Sequence, residues 1–115
     1  MSVKIYHNPR CQKSRQALQL LKDQGIEPVI IDYLQTPPSA EQLDALLQTL
    51  GIEPRQLMRT KEADYKACGL NDETLDRQTL INAMVSYPIL IERPIVIANG
   101  KAIIGRPPEA VLSIL

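Results

Sequence analysis

Hydrophobic and polar positions along this chain switch between a strand rhythm and a helix rhythm, and the switches mark the elements. Val3-Lys4-Ile5-Tyr6 is a short β-type run. After Cys11 the apolar positions Ala17, Leu18 and Leu21 take helical spacing, and Gly25 is a good residue to end that helix. Val29-Ile30-Ile31 follows Pro28 as a continuous β-branched run, the pattern of a buried parallel strand. Strand, helix, strand in this span predicts a βαβ unit with a right-handed crossover.

Residues 33–38 form a loop that closes on Thr36-Pro37-Pro38. Ser39 and Gln42 then have capping-box spacing, and Leu43, Leu46, Leu47 and Leu50 share one helical face up to Gly51. Pro54 starts a short helix through Leu57 and Met58, and Arg59-Thr60-Lys61 breaks its apolar pattern. A further short helix over residues 63–67 stops at Gly69. Asp76 caps a helix carrying Leu80, Ile81, Ala83, Met84 and Val85, which must end before Pro88.

The last quarter changes character. Ile95-Val96-Ile97-Ala98 and Lys101-Ala102-Ile103-Ile104 are strands joined by Asn99-Gly100, the strongest short hairpin signal a sequence offers. Pro107-Pro108 and Glu109 open a final helix carrying Val111, Leu112 and Leu115. The predicted class is α/β: one domain over residues 1–115, built as βαβ then ββα, with residues 39–87 as a helical insertion between strands two and three.

Composition narrows the function. Thirteen basic residues balance thirteen acidic ones, and Phe and Trp are absent. Neither a nucleic-acid partner nor an anionic membrane is expected from such a chain. No run approaches the length of a membrane span and no apolar signal region opens the chain, so a cytoplasmic protein with reduced thiols is expected. One histidine and two cysteines at unrelated spacings form no metal pattern, and neither a metal nor a bound cofactor is expected.

Chemistry concentrates in His7-Asn8-Pro9-Arg10-Cys11-Gln12-Lys13-Ser14-Arg15. Cys11 falls at a strand-to-helix turn, where unpaired N–H groups favour an anion, and Arg10, Lys13 and Arg15 add cations. A free thiol of pKa ~8.5 is about 3% thiolate at pH 7, and such surroundings lower it to roughly 3.5–7.5. Cys11 is therefore the candidate nucleophile. Cys68, at a helix end, reads as structural or incidental. Arg59, Arg93 and Arg106 lie outside ordinary helix-face positions. Arg93 and Arg106 flank one hairpin and should emerge at one end of the sheet, and arginine's planar fork suits tetrahedral oxyanions.

The element order, with a thiol after the first strand and X-Pro entering the third, resembles the thioredoxin fold. That resemblance implies a cis peptide before Pro94, close to Cys11. More closely, His-Asn-Pro-x-Cys-x-x-Ser at 7–14, Tyr-Leu-x-Thr-Pro-Pro at 33–38, Leu-x-Arg at 57–59, Pro-Ile-Leu-Ile-x-Arg-Pro-Ile-Val at 88–96 and Arg-Pro-x-Glu at 106–109 resemble the glutaredoxin-coupled arsenate reductases. The likeness is to the short chromosomal type, which lacks a C-terminal extension.

This resemblance implies that Cys11 attacks arsenate to give a thiol–arsenate ester, while Arg59, Arg93 and Arg106 hold the oxyanion. Glutathione is the implied co-substrate and glutaredoxin the implied protein partner, with arsenite as product. His7 would tune the thiol, and Ser14 would either donate a hydrogen bond to the thiolate or bond the helix backbone. A monomer is expected. Because Ser14 replaces the second cysteine of a C-x-x-C pair, the site must borrow its second sulfur. Two rival readings are a glutathione-dependent thiol reductase of other substrates and a non-enzymatic regulator that binds RNA polymerase. The absent C-x-x-C switch disfavours the regulator. The phosphatase-like C-x5-R loop would need Arg at position 17, where Ala17 stands.

Overall fold

A computed structural model describes residues 2–115. The elements are β1 (Val3–His7), α1 (Gln12–Asp23), β2 (Val29–Asp32), α2 (Ala40–Leu50), α3 (Pro54–Leu57), α4 (Ala63–Ala67), α5 (Arg77–Ser86), a 3₁₀ turn at Pro88–Leu90, β3 (Ile95–Ala98), β4 (Lys101–Ile104) and a 3₁₀ segment at Pro108–Ile114. They fall into two compact units: the chain up to Thr36 with Arg93–Leu115, and Pro37–Glu92.

The first unit is a four-stranded sheet in the order β2-β1-β3-β4. β1 and β2 run parallel, whereas β1/β3 and β3/β4 are antiparallel. This is the βαβ–ββα, thioredoxin-like arrangement. The hydrophobic core joins Val3 and Ile5 of β1, Ala17 and Leu21 of α1, Val96 and Ala98 of β3, and Val111 and Ile114 of the terminal segment. Alternation along β1 supplies the sheet side, and the i, i+4 pair on α1 supplies the helix side.

Two expectations are corrected here. β2 is an edge strand, not a buried one: Val29 is 54% exposed and Ile30 is 48% exposed. Its β-branched run matches a buried strand in composition, but strand order decides how many neighbours a strand has, and order is a tertiary property. The terminal segment is 3₁₀, not α, and it buries Pro108, Val111 and Ile114 while Leu112 is exposed. Those three positions recur every third residue, the period at which 3₁₀ side chains eclipse, so they form one stripe against the core.

Local signals act as the sequence predicts. The Ser39 hydroxyl accepts from the Gln42 N–H at 3.1 Å, and the Gln42 side chain accepts from the Ser39 N–H at 2.9 Å. The α1 and α2 helices end on Gly25 and Gly51, both with φ near +70°, a conformation that costs glycine little. The Asn99-Gly100 turn has positive φ at both residues, as a type I′ hairpin demands.

In the helical unit, Leu43, Leu46 and Leu47 of α2 and Leu80, Ile81 and Met84 of α5 are buried. The Arg55 guanidinium donates to the Tyr65 hydroxyl and to the carbonyls of Leu70 and Asp72, tying α3 to the α4 region. A single antiparallel bridge, Met58 to Ile91, joins the two edges of this unit.

Candidate active site

Strand register brings the candidate residues of the first unit together. Tyr6 pairs with Ile95, so the chain before β3 lies beside the end of β1, where the Cys11 loop begins. Ile95 in turn pairs with Ile104, which carries Gly105 and Arg106 to the same place. The Gly105 N–H donates to the Pro94 carbonyl at 2.8 Å. The Arg93–Pro94 peptide is cis, and so is Arg106–Pro107, which the sequence did not announce.

Cys11 is the N-cap of α1, and its N–H donates to the Asn8 carbonyl at 3.0 Å. The loop is pinned again by the Asn8 side-chain oxygen, which accepts from the Arg10 N–H at 3.0 Å. Cys11 is buried, with only 9% of the residue exposed. Arg106 Nη2 lies 3.9 Å from Cys11 Sγ, and Arg106 Nε donates to the Arg93 carbonyl at 3.0 Å. Burial pushes the thiol pKa up. The Ser14 amide, the Arg93 guanidinium and the Lys13 amide outweigh it and hold the pKa below the ordinary value. No side-chain cap bond is formed, so these amides act on the sulfur as fixed dipoles at the helix start.

The source of the activation therefore differs from the local expectation. The side-chain cations at the sulfur are Arg93 and Arg106, both distant in sequence. Arg10 is exposed, and the Arg15 guanidinium donates to the Pro9 carbonyl at 2.9 Å. A side chain next in sequence to a helix N-cap points around the helix or out of the turn, whereas the β1/β3 register aims Arg93 at the sulfur.

Ser14 and His7 form a buried pair behind the thiol loop. His7 Nδ1 and Ser14 Oγ are 2.5 Å apart, and Ser14 Oγ also accepts from the Asn8 N–H at 3.1 Å. Ser14 is fully buried on the core-facing stripe of α1, where an unpartnered hydroxyl would be costly. Its hydroxyl is committed to His7 and the backbone, and it acts on the sulfur through its amide. The His7 pKa is lowered by burial, against an opposing effect of the Asp32 carboxylate, with Arg15 and Lys22 adding to the fall. His7 is thus neutral at pH 7, and it braces the loop.

Arg59 belongs to the helical unit. Its N–H donates to the Leu90 carbonyl, Nε reaches Glu62 at 3.0 Å, and Nη1 reaches Glu92 at 3.0 Å. Burial lowers its pKa, and the two carboxylates more than reverse that. Both carboxylate partners went unrecognised in the sequence, because their positions, i+3 and thirty-three residues on, give no joint signal. Gly105 carried no sequence signal either. A Cβ there would lie 2.7 Å from Pro94 Cγ and 3.1 Å from Val111 Cγ1. Cys68 is exposed at the end of α4. Among the described residues, no group of three or more His, Cys, Asp or Glu side chains could hold a metal ion, and no helix is long and apolar enough to cross a membrane.

Fold and site together define a thioredoxin-like protein with one cysteine at the start of its first helix and arginines brought to it by the β3–β4 hairpin. The model of the ArsC family matches residues 6–114, and the chain belongs to that family. It is 51% identical to the arsenate reductase of Haemophilus influenzae, over the full length of both chains. It is 58% identical to the uncharacterized protein YfgD of Escherichia coli K12, covering 98% of this chain and 96% of that one. Among solved structures, the arsenate reductase from Vibrio cholerae superposes with a TM-score of 0.98 at 56% identity, covering 100% of this chain and 98% of the other.

Proposed function

We propose that this protein reduces arsenate to arsenite through a covalent adduct on Cys11, with glutathione as co-substrate and glutaredoxin as the reductant that resets it. The observation that carries this reading is the Cys11 sulfur at the α1 N-cap, with a lowered pKa and Arg106 Nη2 3.9 Å away. A thiolate beside a guanidinium suits attack by sulfur on a bound oxyanion. Arg93 and Arg106 serve that oxyanion from the hairpin, and Arg59 is assigned to it by the family pattern.

The Cys11 thiolate bonds to arsenic, and one arsenate oxygen departs as water. A glutathione sulfur then attacks the adduct. In sum, two thiols form one disulfide and lose two electrons, arsenic(V) becomes arsenic(III), and arsenite is released. The Cys11–glutathione disulfide is reduced by glutaredoxin. Ser14 in place of a second cysteine makes the external thiol necessary. Phosphate has nearly the same shape and charge as arsenate, so arginines alone confer no selectivity. Selectivity comes from the reaction, because arsenic(V) accepts a soft sulfur and two electrons. The chemistry requires reduced thiols, as in the cytoplasm.

The test is a coupled assay of arsenite formation with excess glutathione and glutaredoxin, run on wild type, Cys11→Ser and Arg93→Ala. Turnover by wild type, none by Cys11→Ser and weak turnover by Arg93→Ala is the expected set. No arsenite from wild type at millimolar arsenate removes the reading and leaves a thiol reductase of other substrates. Unchanged turnover in Cys11→Ser removes the nucleophile.

A further inference from the structure

On the β2 side of the Cys11 loop lies a cavity of about 380 Å³ lined by Asn8, Pro9, Arg10, Asp32, Leu34 and Gln35. It sits beyond the carboxyl ends of two parallel strands, where α/β sheets place ligands. Its wall and the nucleophile share one tight turn, since Arg10 precedes Cys11 and the Cys11 N–H is bonded to Asn8. Because β1 is flanked by β2 and β3, the arginines reach the thiol loop from one side and this groove opens on the other.

We propose that the groove binds the peptide part of the thiol that resolves the Cys11 adduct, a small zwitterionic peptide of the glutathione class. This rests on the reading that an external small thiol does the resolving. Arg10 takes a carboxylate and Asp32 takes the ammonium, while Asn8 and Gln35 offer amide groups to the peptide bonds. An inorganic oxyanion would meet the Asp32 carboxylate and be repelled, so the paired charges select a zwitterion. Leu34, 40% exposed, and Pro9 give apolar surface for the methylenes. The volume lies within the range of small-molecule sites, about 300–1,000 Å³.

Both rims are held in place before any ligand arrives. The Asp32 carboxylate accepts from the Leu34 N–H at 3.2 Å, and the Asp32 carbonyl accepts from Gln35 and Thr36 at 3.1 and 2.8 Å. On the opposite rim Asn8 accepts from the Arg10 amide. Binding thus orders side chains on a backbone that is already fixed, which lowers its entropic cost. The oxyanion and the second thiol also approach from different sides and do not compete for the arginines.

S-methylglutathione, whose sulfur cannot react, reads the groove without turnover. Amide NMR titration should show saturable shifts at Asn8, Arg10 and Gln35, with Kd weakened about tenfold in Arg10→Ala and Asp32→Asn, one charge-assisted contact each. Asp32→Asn keeps the turn acceptor for Leu34, so the loop retains its shape. In the coupled assay the KM for glutathione should rise by about the same factor, and the KM for arsenate by less than about twofold. Absence of saturable shifts, shifts confined to other residues, or unchanged Kd in both variants overturns the proposal. Failure of the underlying reading shows separately, as a wild type that forms no arsenite yet titrates at the groove.

Discussion

Replacing Ser14 with alanine separates two roles that its position near the thiol could serve. The hydroxyl is fully buried and bonded to His7 Nδ1 and the Asn8 N–H. Its loss leaves His7, itself 7% exposed, with a buried ring nitrogen lacking its partner, at a cost of about 1–3 kcal/mol. The Asn8 N–H is partly buried and water reaches it more easily, so its share is about 1 kcal/mol. Alanine is the better helix former by roughly 0.5 kcal/mol, which offsets part of this. The net destabilisation is about 1.5–3.5 kcal/mol, read as a shift in urea midpoint at constant m and as a fall in Tm of roughly 5–15 °C. Alanine retains the backbone amide that acts on the sulfur. The Cys11 pKa, followed by iodoacetamide reactivity against pH, should therefore move by less than about half a unit. A variant as stable as wild type would show that the buried pair contributes nothing, and a thiol pKa raised by about a full unit would show that the hydroxyl itself acts on the sulfur.

Arg93→Ala should raise the Cys11 pKa, because the guanidinium favours the thiolate; the same alkylation titration checks this, and an unmoved midpoint refutes it. His7 is held neutral in the fold, so the unfolded chain binds the extra proton: the stability this provides is complete above the unfolded pKa near 6.5 and is lost as pH falls through the lower folded value. Urea unfolding from pH 7.5 to 4.5 in wild type and His7→Gln should diverge on the acid side, and parallel curves would refute it. Gly105→Ala should cost about 1–3 kcal/mol in urea unfolding, because its Cβ would sit 2.7 Å from Pro94 Cγ with Val111 close behind; a neutral effect would mean that the ring shifts freely.

Sequence alone determined what is local. The capping box at Ser39 and Gln42, the glycine helix ends and the Asn99-Gly100 turn depend on a few neighbouring residues whose backbone preferences hold in any context. The element order and the motifs around Cys11, Arg93 and Arg106 also carried the thioredoxin-like architecture. Tertiary structure alone decided what depends on neighbours distant in the chain. Val29 and Ile30 read as buried until strand order placed them on an edge. The charges that act on Cys11 come from Arg93 and Arg106, brought by the β1/β3 and β3/β4 registers, while the adjacent Arg10 is exposed. Ser14 lies three residues from the sulfur, yet its hydroxyl bonds His7. Spacing shows which residues share a helix face or a turn. Which atoms then meet is decided by register and packing, because a hydrogen bond or ion pair changes over an ångström and sequence position does not resolve that distance.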